Sequence, residues 1–187
     1  MSRHKRSAFI WAVCATLSLW STILRAEAYE YSQVTAAFIY QISRFATWPD
    51  ASPPEALPHL GVCVFGHMDE GLQSAMQGLA RQVSQGRSLQ VRHVPDRESL
   101  LAQVQARDCQ IVFTANGDWR HLKNEDISHL HAHPALLIGL TRHFLKQGGM
   151  IALVPQNDRI GIVVNRRTLE SSHVKLSSRL LHLANIM

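Results

Sequence analysis

Two patterns of hydrophobic residues alternate along this chain of 187 residues, and together they predict an α/β fold. Short apolar runs typical of buried strands occur at residues 60–65, 89–94, 109–113 and 135–139. Between these runs, apolar residues recur every three or four positions, as on one face of a helix, over residues 70–80, 97–105 and 119–129. Strands that alternate with helices indicate βαβ units and a largely parallel sheet covered on both faces.

The two ends of this region depart from the alternation. Before it, Val34, Phe38, Ile42 and Phe45 predict one face of an opening helix over residues 33–48, which Pro49 ends. A loop over residues 49–55 joins this helix to the body of the domain. After it, apolar runs at 150–154 and 160–164, joined by a turn, predict an antiparallel hairpin.

A closing helix completes the predicted fold. Its packed face is marked by the residues Leu176, Leu180, Leu183, Ala184 and Met187. The whole pattern predicts a three-layer α/β/α sandwich with a mixed, largely parallel sheet and a C-terminal β-hairpin plus helix.

The first 28 residues have the pattern of a secretory signal peptide. A basic start is followed by an uncharged run over residues 8–24 and by small residues before a cleavage site after Ala28. An uncleaved anchor is the alternative, but this run is short and polar for a spanning helix. Cys14 lies inside the run, too far from its exit for a lipid-modified N-terminus. We therefore expect residues 29–187 to fold as one domain outside the cytoplasm.

Removing the leader changes the charge of the protein. The whole chain carries a formal charge of +5, and the leader holds four basic residues and one acidic residue, which leaves 5 − 3 = +2. A thinly charged surface argues against nucleic-acid binding, which needs a dense basic face.

Two cysteines, Cys63 and Cys109, remain after the leader is removed. In an oxidising compartment we expect them to form one disulfide, which would stabilise the fold by about 4 kcal/mol in the chain-entropy model. Two buried thiols are the alternative.

The chain offers few groups at the spacings that catalysis needs, so we do not expect an enzyme. The sequence contains no phosphate-binding glycine loop and no nucleophile elbow. Residues 66–71 follow a strand and precede a helix, where folds of this class often bind small molecules, although the acidic pair Asp69 and Glu70 also suits a helix start. No cofactor is implied by any motif.

Histidines His129, His131 and His133 alternate along the chain, with His121 nearby. In an extended segment they would share one side and offer three imidazoles to zinc or copper. A solvated, histidine-rich loop without metal is the favoured interpretation, because no acidic residue follows as a supporting partner.

Several segments together resemble the YfiR family of bacterial periplasmic proteins, and the resemblance spans essentially the whole of residues 29–187. In order, they are Ala36-Ala37-Phe38 with Trp48-Pro49, the two cysteines on separate strands, Gly148-Gly149-Met150, residues 159–165, and the closing Ser177-Ser178-Arg179-Leu180-Leu181. Each segment alone is weak evidence, whereas the ordered set is specific.

The resemblance implies a non-enzymatic regulator in the periplasm. YfiR-like proteins bind the periplasmic sensor region of a membrane-bound diguanylate cyclase and hold it inactive, which lowers cyclic di-GMP, biofilm formation and exopolysaccharide output. An outer-membrane peptidoglycan-binding lipoprotein can sequester such a regulator. The family's cysteines match Cys63 and Cys109. A second pair in some members falls at Leu145 and Ala152 here, which argues against redox control through that bond.

The apolar C-terminal hairpin and the segment after it are the candidate region for contact with a protein partner. Ile151, Val163 and Leu169 are the candidates if part of this segment is exposed, and packing beneath helices is the alternative. The second function considered is a periplasmic small-molecule or metal-binding module serving another membrane sensor. Base rates for oligomers favour a homodimer.

Overall fold

The computed structural model describes residues 30–48, 59–115, 117–156 and 159–187. The predicted leader, residues 1–28, and the predicted loop at 49–55 lie outside the described residues. Within this part of the chain, no helix has both the length and the apolar character needed to cross a membrane.

An eight-stranded sheet forms the centre of the domain, in the order β10-β8-β7-β6-β5-β2-β4-β3. Its strands are β2 (His59–Phe65), β3 (Val83–Ser84), β4 (Arg87–Val94), β5 (Ile111–Thr114), β6 (Leu136–Gly139), β7 (Ile151–Gln156), β8 (Arg159–Val164) and β10 (Asn185–Ile186). The five strands from β4 to β7 are mutually parallel, whereas β3 pairs with β4 and β8 pairs with β7 in the antiparallel direction. The mixed, largely parallel sheet predicted from the sequence is confirmed.

The parallel strands are continuous apolar runs because both of their faces are covered. Every residue from Leu60 to Phe65 in β2 is buried, as are all four residues of β5 and of β6. Such runs, without alternation of polar residues, are typical of strands sandwiched between two helical layers.

Six helices follow the first strands, and most begin at a side chain that caps them. Their bounds are α2 (Glu70–Leu79), α3 (Arg97–Gln105), α4 (Asn124–His131), α5 (Arg142–Lys146), α6 (Arg166–Glu170) and α7 (Ser178–Leu183). Asp69 and Asp96 accept hydrogen bonds from the third residue beyond them and so start α2 and α3. The predicted helices at 70–80 and 97–105 are confirmed within one residue, and the irregular one at 119–129 resolves into a 3-10 turn, Asp118–His121, and α4.

The sandwich has α1 (residues 30–45) and α2 on one face of the sheet. Thr35 of α1 and Leu72 of α2 line one opening with Phe113 of β5, which pairs in register with Val64 of β2. Because adjacent residues of a strand point to opposite faces, Cys63 points to the other face, where it lies beside Gln103 of α3.

The opposite layer contains α3, α4 and α5. Arg97 of α3 pairs with Asp126 of α4 at 2.6 Å, and Trp119 ahead of α4 contacts the ring of Phe144 in α5. Connections between neighbouring parallel strands are almost always right-handed, and this rule places these three crossover helices on one side.

The opening helix departs from its prediction in length and in orientation. It ends at residue 45, and Ala46–Thr47 forms a short strand, β1, which pairs with β9 (Lys175–Leu176). Its buried face contains the polar residues Ser32, Thr35 and Ser43 beside Ile39 and Ile42, whereas Val34 is exposed. The predicted apolar face is therefore rotated, because tertiary contacts with β3 and with the loop after β2 select the buried side.

The closing helix is shorter than predicted. α7 ends at Leu183, and Asn185–Ile186 forms β10, which pairs in parallel with β8. Leu180 is buried, but Leu183 and Met187 are exposed, so the prediction of one continuous packed face to Met187 is wrong. Asn185 and Ile186 form a strand instead of continuing the helix because the edge of β8 offers them backbone hydrogen-bond partners.

Candidate functional site

The strand order of the sheet locates the position where such folds usually bind ligands. The chain leaves β2 to one side to form β4 and then crosses to the other side of β2 to form β5, so the direction reverses between β2 and β5. Ligands of open α/β sheets bind at the carboxyl ends of the strands at this switch point. Residues 66–71, which the sequence indicated as a candidate ligand loop, lie there.

Asp118 closes the centre of this crevice. Its Oδ2 atom accepts a hydrogen bond of 2.8 Å from the backbone N–H of His67, which joins the loop after β2 to the loop after β5. Gly66 adopts the left-handed region at φ +95°, and its missing side chain leaves the room that the Asp118 side chain occupies. Two separate openings lie near this crevice.

The larger opening, about 430 Å³, is lined by His67, His93, Asp96, Arg97, Asp118 and His121 among others. Most of its polar groups are already paired within the protein. The Nε2 atom of His93 lies 2.7 Å from the carbonyl oxygen of Gly66, and Arg97 donates to the buried Asp126. The hydrogen bond from Arg97 lowers the pKa of Asp126, so the pair remains ionised at neutral pH.

The smaller opening, about 200 Å³, lies on the other face of the sheet. Its lining combines hydroxyl groups from α1, one carboxylate and three apolar side chains, and the residues are Tyr31, Ser32, Thr35, Asp69, Leu72, Phe113 and Leu140. Among the described residues that line them, neither opening assembles a nucleophile, a base and an orienting group at hydrogen-bond distances.

Cys63 and Cys109 are joined by a disulfide, as the sequence predicted. Their Cα atoms are 5.5 Å apart, and both residues are buried. The amide oxygen of Gln103 lies 3.7 Å and 4.0 Å from the two sulfur atoms, so α3 covers the bond. The disulfide fixes β2 to the start of β5 beneath a helix, which indicates a structural bond inaccessible to bulk reductant.

The histidine group is arranged differently from its prediction. His129 and His131 belong to α4 rather than to an extended segment, so the helical period separates them. The His129 and His133 rings meet at 4.9 Å, whereas His131 points to Gly148, whose carbonyl oxygen lies 2.7 Å from its Nε2 atom. Among the described residues, no three metal-ligating side chains converge. Burial lowers the pKa of His133, which favours its neutral form.

The three predicted partner contacts are not exposed. Ile151 and Val163 are fully buried and Leu169 is nearly so. β7 lies between β6 and β8, and the chain returns as β10 along the other side of β8, so neither hairpin strand is an edge. In this structure these side chains are covered rather than exposed, and their role as partner contacts stays a prediction from the sequence.

Exposed apolar side chains instead occur one strand further out, in β10 and in the residues beside it. The exposed fractions are 78% for Leu183, 49% for Ile186 and 45% for Met187. β10 is the last strand of the sheet, and its outer side pairs with no strand among the described residues. We call Leu183, Ile186 and Met187 the β10 patch. Exposed charged side chains at Arg166, Glu170 and Arg179 lie on the neighbouring helices α6 and α7. Helical periodicity gave no sign of this patch, because it assigns Leu183 and Met187 to the packed face of a helix.

Comparisons with known proteins agree with this fold. A search of curated proteins found no match. Among solved structures, a conserved domain protein from Vibrio cholerae O1 biovar eltor aligns with a TM-score of 0.50 at 12% identity, which indicates a shared fold. The alignment covers 71% of this chain and 56% of that chain. The YfiR/HmsC-like family profile matches residues 32–185, which include nearly all of the described strands and helices. The chain belongs to the YfiR/HmsC-like family.

Proposed function

We propose that this protein is a periplasmic regulator that binds the periplasmic sensor region of a membrane-bound diguanylate cyclase and keeps the cyclase inactive. The observation that carries the proposal is the family match over residues 32–185. In this role the protein lowers cyclic di-GMP and, with it, biofilm formation and exopolysaccharide output. The buried disulfide supports an oxidising location, because such bonds persist mainly outside the cytoplasm.

The regulator acts by differential affinity. It must bind the inactive arrangement of the cyclase more tightly than the active one, because a ligand with equal affinity for both states shifts nothing. Such a mechanism needs a contact surface rather than a catalytic centre. The larger opening at the switch point, whose polar groups are mostly paired within the protein, is consistent with a protein that works by contact.

The β10 patch is the surface that we assign to the cyclase. An edge strand offers unpaired backbone groups to an added strand, and side chains beside it provide specificity. Leu183, Ile186 and Met187 supply an apolar centre, and the charged side chains of α6 and α7 supply a polar rim, as in other interfaces between proteins. A lipoprotein of the outer membrane that competes for this surface, or a second copy of the chain, would relieve the repression.

A deletion experiment tests the function. Loss of the gene should raise cyclic di-GMP and biofilm, and a copy encoding the full chain should restore both. A matched copy that lacks residues 2–28 should fail to restore them, because its product stays in the cytoplasm. Pull-down of the full-length tagged protein should recover a membrane protein with a cyclase domain. Unchanged cyclic di-GMP after deletion, or restoration by the leaderless copy, would contradict the proposal.

A further inference from the structure

The smaller opening contains a polar group that the protein itself does not satisfy. Thr35 is 1% exposed, and its Oγ1 atom has no hydrogen-bond partner among the described residues. A buried hydroxyl without a partner costs free energy, so such a group in a folded protein requires an explanation. Thr35 is one of the residues that line an opening of about 200 Å³.

Position distinguishes this opening from an ordinary packing defect. Asp69 follows β2, Phe113 is on β5 and Leu140 follows β6, so the opening lies beside the switch point at the carboxyl ends of the parallel strands. The larger opening on the other side is less suited to a ligand, because Asp118, His93 and Arg97 already pair with groups of the protein. The unpaired hydroxyl, that of Thr35, belongs to the smaller opening.

The lining of the smaller opening defines the chemistry that it accepts. Asp69 supplies the one charge among its lining residues, and no cation lines it, so an anionic ligand is disfavoured. One oxygen of Asp69 accepts from the backbone N–H of Leu72 at 2.8 Å, which leaves the other oxygen for a ligand. Burial raises the pKa of the Tyr31 phenol, which therefore stays protonated and able to donate.

Size and apolar surface restrict the ligand further. A cavity of about 150 Å³ is known to hold a benzene molecule. This opening therefore accommodates a ring of that size with a short polar substituent. Leu72, Phe113 and Leu140 provide the apolar wall. We propose that the opening between α1, α2 and the ends of β5 and β6 binds a small organic amine, with its ammonium at Asp69, a polar contact at Thr35 and its apolar body against Phe113.

Three probes of one shape test the proposal on the full chain, exported and purified with its disulfide formed. Benzylamine carries the ammonium, benzyl alcohol is its neutral analogue, and benzoate is its anion. Titration followed by NMR should give affinities in the order benzylamine, benzyl alcohol, benzoate, with shifts at residues 31–35, 69–72, 113 and 140. No binding by any probe, which would leave only a bound water at Thr35, or equal binding by benzoate, would overturn it.

Two variants locate the contacts. Asp69→Asn keeps a good helix cap and should remove the advantage of benzylamine over benzyl alcohol. Thr35→Val should weaken both by at least about fivefold, while it leaves the melting temperature of the free protein unchanged or higher. The matched control is Thr114→Val, a buried threonine whose hydroxyl already lies 3.5 Å from the carbonyl oxygen of Ile138. Thr35→Val that binds benzylamine as tightly as the unmodified protein would overturn the site, whatever the outcome for the cyclase.

Discussion

The two outer edges of the sheet are both two-residue strands, but only one of them is covered. At the β3 edge, Val83 is 57% exposed, yet the backbone around it is held by α1. Tyr40 donates to the carbonyl oxygen of Val83 at 3.2 Å, and the Ser43 and Ser84 hydroxyls are 2.8 Å apart. At the β10 edge, three apolar side chains are exposed and no described strand pairs with the outer side.

The β3 edge is therefore protected from pairing with another chain, whereas the β10 edge is available to a partner. Gln85 adds to the protection, because its Nε2 atom donates to the carbonyl oxygens of Ser43 and Ala46 at 2.6 Å and 2.8 Å. Proteins usually block free edges against unwanted pairing. An edge that is apolar and has no described strand on its outer side is therefore the better candidate for a partner surface, and both edges belong to the same disulfide-linked sheet.

Removing the disulfide should have the largest effect on the stability of the domain that carries both edges. Replacing Cys63 and Cys109 together by alanine should lower the free energy of unfolding by about 4 kcal/mol, because the bond closes a loop of 46 residues. Denaturant unfolding under oxidising conditions measures the loss. The single variants Cys63→Ala and Cys109→Ala are the controls, and each should lose nearly as much as the double variant, because either change alone removes the bond. An equally stable double variant would contradict a structural role for the bond.

A charge on the available edge should remove partner binding. Ile186→Lys should weaken binding to the cyclase's periplasmic region at least about 30-fold, as expected for a central apolar contact, and should raise cyclic di-GMP. Val83→Lys is the matched control at the covered edge, since both residues are exposed and neither change should unfold the protein. Equal affinities for the two variants would remove the distinction between the edges.

Acid should loosen the layer formed by α3 and α4 while leaving the edges in place. The pKa of Asp126 is lowered chiefly by the hydrogen bond from Arg97, so the unfolded chain binds its proton more readily than the folded one. The stability from this group is present above the ordinary carboxyl pKa and is lost as pH falls through the lowered value. Asp126→Asn should cost about 1–2 kcal/mol at pH 7 and less at acidic pH. A loss independent of pH would contradict the assignment.

Opening the covered edge should have the smallest effect. Ser43→Ala leaves the buried Ser84 hydroxyl without its partner and should cost about 1 kcal/mol, whereas the double change to alanine at both positions should cost less than the sum of the two single changes. Thermal unfolding of the three variants measures this coupling. Additive losses would show that the two hydroxyls do not act together.

The sequence predicted the centre of the fold better than its edges. The parallel strands β2, β5 and β6 are long apolar runs whose burial on both faces is encoded locally, and so is the antiparallel hairpin. The pairing of Cys63 with Cys109 followed from the expected compartment. β10 could not be predicted, because two residues, Asn185 and Ile186, become a strand only when β8 offers its edge.

The candidate sites were harder to predict for the same reason. Ile151 and Val163 are apolar whether they are covered or exposed, and only the packing of the complete domain decides between the two. The buried Thr35 gave no local signal, because helical periodicity assigned the packed face to Val34 and Phe38. His129 and His133 meet because their segment is helical, whereas an extended segment would have grouped all three histidines.

Site-specific cross-linking in the native host tests the central claim most directly. A photoreactive amino acid placed at position 186 should capture the periplasmic region of a membrane protein that carries a cyclase domain, identified by mass spectrometry. The same group at position 83, on the covered edge, should not capture it. Capture from position 83 instead of 186, or no cyclase captured from 186 in cells whose cyclic di-GMP rises when the gene is deleted, would contradict the assignment of the β10 patch.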